Sequence, residues 1–248
     1  MVKNLFILIV LFALSLNAKE IYATFDVEAI KKSELSLSVA GVVSKIYVDI
    51  GDVVKKGDLL LELENSDFKA DILVKKSQVE LAQTALDYAM KSFSRYDKVK
   101  DIIDKEHFDK FEADKNIKTK ELLKAKNELL LKEAMFEKTK LYAPYNGVIT
   151  NRYVELGDGV NGAMSKLFFM EDNSEVKLIL SFDEKYWKDV KKGVLFKFKV
   201  DGDDTLHEGY ISKIYPTIQN SNRKMKAEVI TKGILSGLFG DGTIVVDK

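Results

Sequence analysis

Gly41-Val-Val-Ser-Lys-Ile-Tyr-Val-Asp-Ile-Gly-Asp-Val-Val54 and Gly147-Val-Ile-Thr-Asn-Arg-Tyr-Val-Glu-Leu-Gly-Asp-Gly-Val160 align without a gap within one 248-residue chain. Seven of the 14 pairs are identical: Gly41/Gly147, Val42/Val148, Tyr47/Tyr153, Val48/Val154, Gly51/Gly157, Asp52/Asp158 and Val54/Val160. Four more are conservative. Agreement of that density marks a structural repeat. Each copy reads as a β-rich run, a Gly-Asp turn and a second strand, at 59–63 in the first copy and 167–170 in the second. Neither half is large enough to bury its own apolar face, so the two are expected to pack about a pseudo-twofold axis.

What separates the copies has a different composition. All 14 glycines lie at or before Gly57 or at or after Gly147, and the 89 residues between hold one proline, Pro144. A stretch rich in Ala, Leu, Lys and Glu and free of glycine has the composition of long helix. Ile72, Val79, Leu86 and Phe93 recur every seven residues. Phe68, Ala82, Ala89 and Tyr96 fill the second heptad position, which Lys75 interrupts. Beyond a charged break at 101–105, Phe108, Leu122, Leu129 and Phe136 repeat the spacing, joined by Phe111 and Ala125 and interrupted by Lys115. Such narrow seams suit a coiled coil. Residues 66–142 carry 17 basic and 15 acidic side chains, so the other faces are solvated.

Asn65 or Ser66 is the expected N-cap of the first helix, which runs to Asp101 and spans about 54 Å. Asp104 sits where the second helix starts, and Pro144 is its expected stop. Two halves of similar length around a short connection predict an antiparallel hairpin. Periodicity alone also fits two helices of an ordinary bundle, or a segment that pairs with another chain.

The N-terminus places Lys3 before a 12-residue apolar run, Leu5 to Leu16, followed by Asn17-Ala18. That is a secretory signal, residues 1–18, of an exported protein with a mature start near Lys19. The run reaches about 18 Å, short of the ~30 Å hydrocarbon core. Leu16 is large for its place before the cut, so an uncleaved anchor at the inner membrane is the alternative. The absence of cysteine excludes disulfides, thiolate metal sites and a Cys nucleophile. Two isolated histidines, His107 and His207, do not make a metal cage. With 39 basic and 39 acidic side chains, nothing suggests nucleic acid as a partner.

In the last third, 176–182, 194–200, 207–215, 224–231 and 242–246 read as strands, with a short helix expected at 184–192. Asp201-Gly202 signals a hairpin. Several short strands and one small helix suggest a small β-barrel. Asp201, Asp203 and Asp204 lack the ligand spacing of a calcium loop and read as a solvated turn.

The pattern Ala-Gly-Val-Val-x-x-Ile-x-Val-x-x-Gly-Asp-x-Val-x-x-Gly-Asp-x-Leu at 40–60 resembles a lipoyl/biotinyl half-motif. Ala-Pro-Tyr-Asn-Gly-Val-Ile at 143–149 resembles the opening of its partner half. In carrier proteins the halves adjoin at a tight turn bearing a modified lysine; here 78 residues, 65–142, intervene. Split halves around a helical hairpin, behind an export signal, resemble the periplasmic adaptor or membrane fusion protein family (HlyD-like, RND-type efflux adaptors).

The resemblance implies a mixed α and β, multidomain fold: a lipoyl-like β-sandwich split by an antiparallel coiled-coil α-hairpin, followed by a small β-barrel. The expected domains are 36–64 with 143–170, 65–142, and 171–248. It implies a non-enzymatic subunit of a tripartite efflux system, with an inner-membrane transporter and an outer-membrane channel as partners, and self-association into a ring, often of six. No catalytic, cofactor or metal residues are expected. The family's hairpin tip engages the exit duct through an Arg, a Leu four residues on and a Ser opening the second helix. Those roles fall on Arg95, Val99 and Asp104, the last two being substitutions. The family's membrane-proximal domain is expected to be missing, since only 19–35 precede the first half-motif and the chain stops at Lys248.

Competing classes are a biotin or lipoyl carrier subunit and a periplasmic solute-binding protein. Lys69 lies near the carrier lysine's place but on an expected helix. The glycines of Gly157-Asp-Gly-Val-Asn-Gly162 have dinucleotide-fingerprint spacing, but lead into a strand where that fingerprint requires a helix.

Overall fold

A computed structural model describes residues 19–218 and 223–246; the signal assigned to residues 1–18 lies outside them. The described chain divides into two units.

In the first, β2 (Ala40–Ile46) pairs antiparallel with β4 (Leu59–Leu63) of its own copy and with β7 (Gly159–Asn161) of the other. Gly41 lies opposite Val160, so the two repeats exchange strands. The order β5-β4-β2-β7 is completed by β5 (Lys140–Tyr142). The Gly-Asp signature has a local cause. In the turn at 49–52, Asp52 N–H donates to the Asp49 carbonyl at 3.1 Å, and the Asp52 carboxylate accepts from Asp49 N–H at 2.7 Å. The turn at 155–158 repeats both bonds, at 3.1 and 2.8 Å. Gly51 and Gly157 sit between at φ of 93° and 90°, where a Cβ is disfavoured.

The insertion is a helical hairpin, α1 (Ser66–Asp97) and α2 (Lys105–Glu137). Every seam residue named from the heptads is buried or half-buried, with Leu86, Ala89 and Leu122 the most enclosed. The lysines that interrupt the stripes are accommodated across the seam. Lys75 Nζ meets Glu128 Oε2 at 2.7 Å, and Lys115 Nζ lies 3.8 Å from the Phe93 ring centroid. Both helices are shorter than the composition suggests. α1 ends at Asp97, four residues before Asp101, and α2 ends at Glu137, well before Pro144. Strand β5, paired with β4, draws the chain out of α2 before proline can stop it. Asn65 occupies the N-cap position of α1 without capping it through its side chain. The Glu64 carboxylate accepts from Ser66 N–H instead, at 3.0 Å.

The second unit is built on a closed six-stranded barrel in the order β1-β12-β9-β10-β11-β8-β1, and its sheet continues beyond β8 into β6 (Gly147–Arg152) and β3 (Val53–Val54). The barrel strands are β1 (Lys19–Leu35), β8 (Phe168–Asp183), β9 (Leu195–Val200), β10 (His207–Ile214), β11 (Lys224–Thr231) and β12 (Phe239–Val246). Closure abolishes free edges. Inward residues alternate along each strand: Ile21, Ala23, Phe25 and Val27 on β1 meet Phe196 and Phe198 on β9, with Phe25 edge-on to both rings at 5.9 and 5.3 Å.

Three expectations need correction here. Residues 19–35 were not assigned to the barrel, yet β1 closes it. The strands expected at 167–170 and 176–182 are one, Phe168–Asp183, with the Asp172 carboxylate accepting from Ser174 N–H at 3.2 Å in its polar middle. The helix expected at 184–192 shrinks to a single 3₁₀ turn, Glu184–Tyr186, capped by Asp183.

Candidate functional site

The hairpin tip is built by α1's last turn, the seven-residue connection 98–104 and α2's first turn. Arg95 lies on the exposed face of α1's last turn, its Nη2 donating to Ser92 Oγ at 3.2 Å. Val99 follows in the connection. Its N–H donates to the Tyr96 carbonyl at 3.0 Å, and its own carbonyl accepts from Ile102 and Ile103 N–H at 3.0 and 3.3 Å. Asp104 is the N-cap of α2, its Oδ1 accepting from Glu106 N–H at 3.0 Å. It performs the capping that a serine would, and its charge suits the positive end of the helix.

Two aromatic pairs brace this end from below. Tyr96 stacks on Phe111 with centroids 3.7 Å apart, and Phe93 meets Phe108 at 5.6 Å. The tip is therefore a hydrogen-bonded turn on an aromatic footing, with Arg95, Val99 and Asp104 gathered at one end of the hairpin. One exposed residue there was not singled out from sequence. Ile102 is 86% exposed, against 39% for Val99, and is the most apolar point the tip presents. An isoleucine pair inside Lys98-Val-Lys-Asp-Ile-Ile-Asp104, outside the heptad pattern, was the available signal.

Other candidate positions take simpler forms. Lys69 sits in the first turn of α1, its Nζ 3.9 Å from Glu62 and 5.8 Å from the Phe136 ring centroid, rather than at a hairpin tip. Gly157 to Gly162 form a turn, β7 and the start of a short 3₁₀ turn (Gly162–Met164), so no α-helix opens there. Asp201, Asp203 and Asp204 are exposed between β9 and β10, beside a cleft shared with Tyr22 and Asp241. The Asp203 carboxylate is held below its usual range, first by Thr205 and then by His207. Among the described residues, no group of three or more His, Asp, Glu or Cys side chains is arranged to hold a metal.

Residues 31–172, more than half the chain, match the family model described as CzcB-like, barrel-sandwich hybrid domain. The chain is similar to the uncharacterized protein YdhJ of Escherichia coli (strain K12), 23% identical over 206 residues, which cover 81% of this chain and 71% of that one. It is also similar to the macrolide export protein MacA of Yersinia pestis, 23% identical over 228 residues, covering 82% of this chain and 60% of MacA. Among solved structures, MacA from Actinobacillus actinomycetemcomitans shares the fold at a TM-score of 0.76 and 22% identity, over 92% of this chain and 79% of that one. The split repeat, the hairpin and that match lead to one conclusion: the chain belongs to the CzcB-like barrel-sandwich hybrid family, the membrane fusion or periplasmic adaptor proteins of efflux systems.

Proposed function

We propose that the protein is the periplasmic adaptor subunit of a tripartite export system, linking an inner-membrane transporter to an outer-membrane exit duct. The observation that carries this reading is the hairpin. Its helices of 32 and 33 residues are zipped along one seam and end in an exposed, braced tip. At ~1.5 Å per residue each helix reaches about 48 Å, a spacer rather than a core element. The similarity to a macrolide export protein agrees with that role.

In this reading Arg95, Val99 and Asp104 dock on the duct, with Ile102 as an added apolar contact. The barrel and the half-motif sandwich face the transporter, which supplies the energy; the adaptor does no chemistry. Copies pack side by side into a ring, six by family resemblance. Val74, Leu81 and Tyr88, exposed on α1 and spaced by seven, supply an apolar stripe for such lateral packing. Residues 1–18 direct export to the periplasm, and no described helix is long and apolar enough to cross a membrane.

A photoreactive residue at Ile102 tests the docking directly. Irradiated cells are expected to give an adduct with an outer-membrane protein. Adducts confined to cytoplasmic-membrane proteins, or none, would overturn the tip assignment.

A further inference from the structure

The hairpin joins the half-motif unit through two connectors of two residues each. Glu64 and Asn65 lead from β4 into α1, and Lys138 and Thr139 lead from α2 into β5. Links this short are natural pivots unless something ties them together. Here something does. Asn65 Nδ2 donates to Thr139 Oγ1 of the other connector at 3.2 Å, and to Glu62 Oε1 at 2.7 Å. Thr139 Oγ1 donates to the Phe136 carbonyl in the last turn of α2 at 2.7 Å, and its own carbonyl accepts from Leu63 N–H at 2.9 Å. Lys69, in the first turn of α1, brings its ammonium to 3.9 Å from Glu62 Oε1. Glu62, Asn65 and Thr139 are 8%, 4% and 1% exposed, so these three are largely withdrawn from water.

Glu62 is the one acid in Leu59-Leu-Leu-Glu-Leu63, where an apolar residue would pack without desolvation cost. Part of its setting is a local strand device, because the chain uses that device twice. Ser44-Lys-Ile-Tyr47 and Ser212-Lys-Ile-Tyr215 are identical tetrapeptides, each at a register shift opposite a glutamate. Ser44 Oγ donates to the Glu62 carbonyl and Ser212 Oγ to the Glu228 carbonyl, both at 3.0 Å. Tyr47 and Tyr215 donate to the two carboxylates at 3.0 and 2.6 Å. Glu228 stands on barrel strand β11 and has no helix to hold. The bonds to Asn65 and Lys69, and through Asn65 to Thr139, are what Glu62 adds.

We propose that Glu62, Asn65 and Thr139 form a latch that fixes the direction in which the hairpin leaves the half-motif unit, with Glu62 as its positioning residue. The carboxylate clamps the α1 connector, and Asn65 carries the clamp across to the connector from α2. Displacement of the half-motif unit then moves the tip as one body with it, instead of being lost at a hinge. The latch is a property of the isolated chain and does not depend on the identity of any partner.

The absence of cysteine makes the test clean. Spin labels on Lys55→Cys in the half-motif unit and Lys91→Cys on α1 report the hairpin's direction as a distance distribution in the purified full chain. Wild type is expected to give one narrow peak. Glu62→Ala should broaden it about twofold or more, because the buried Asn65 amide loses its acceptor and Lys69 its ion-pair partner. Glu62→Gln should keep the peak narrow, since its amide can accept from Asn65 and donate to Tyr47 Oη. Glu228→Ala, which breaks the same tetrapeptide device in the barrel, should also leave the peak narrow. A narrow peak in a folded Glu62→Ala, or a peak as broad in Glu228→Ala or Glu62→Gln, overturns the latch. If Glu62→Ala does not fold, Thr139→Val carries the same test, with broadening supporting the latch and a wild-type peak contradicting it.

Discussion

Gly147→Ala is expected to destabilise the protein by roughly 3 kcal/mol, whereas Gly41→Ala, the same change at the equivalent repeat position, costs about 1 kcal/mol or less. The two glycines are identical in the alignment for different physical reasons. A Cβ on Gly147 would fall 2.3 Å from the Glu171 carbonyl oxygen and 2.9 Å from its carbon. Those atoms belong to the backbone of β8, which neighbours the strand Gly147–Arg152 in the sheet, and backbone fixed in a sheet cannot turn aside as a side chain can. A Cβ on Gly41 would instead meet Leu63 Cδ1 at 3.0 Å, the far end of a side chain that can turn a few tenths of an ångström aside. Thermal unfolding separates the cases. At about 2–4 °C per kcal/mol for a chain of this size, Gly147→Ala should lower Tm by roughly 6–12 °C and Gly41→Ala by under about 4 °C. Equal losses would show that sequence symmetry, rather than the backbone contact, governs the site.

Arg95→Asp is expected to abolish export while leaving secretion and folding intact. The side chain is exposed and its hydrogen bond is local, to Ser92 on its own helix. An acid so close to the C-terminal end of α1 is disfavoured by the helix dipole, at a cost of about 0.3–1 kcal/mol, too small to unfold the hairpin. At a docked tip the same change replaces a five-donor cation with an anion. That reversal costs several kcal/mol when the partner groups are desolvated. Arg95→Lys keeps the charge but loses the planar fork, so its export should fall between wild type and Arg95→Asp. Normal export by Arg95→Asp would remove Arg95 from the docking surface.

What could be read in advance divides along the range of the interactions concerned. The repeat and the heptad seam were legible because their causes lie within a few residues. A Gly-Asp turn closes on itself over four positions, and a seven-residue stripe declares its own face. β1 was harder. Ile21, Ala23, Phe25, Val27 and Ala29 alternate as a strand should, but the partner that makes them a barrel wall is β12, with Ile21 opposite Ile244 at the other end of the chain. Pro144 was a reasonable helix stop and the wrong one, since α2 ends where β5 finds β4, a tertiary event that no local breaker announces. Of the tip, Asp104 sits at a helix start that the charged break could locate, whereas Arg95 was marked by the family resemblance, since composition carried α1 on to Asp101. Ile102 carried no periodic signal, and its importance rests on exposure alone. The latch was visible as a lone glutamate among leucines and as a tetrapeptide used twice. Its role needed the second connector, Thr139, brought beside Asn65 by the return of the hairpin.

Co-purification from detergent-solubilised envelopes asks whether this chain bridges two membrane proteins. Tagged wild-type protein is expected to retain both a polytopic inner-membrane transporter and an outer-membrane duct. Arg95→Asp is expected to retain the transporter and lose the duct, because the tip alone is changed. Recovery of neither membrane protein with the wild type, or of both with Arg95→Asp at wild-type yield, would contradict the account.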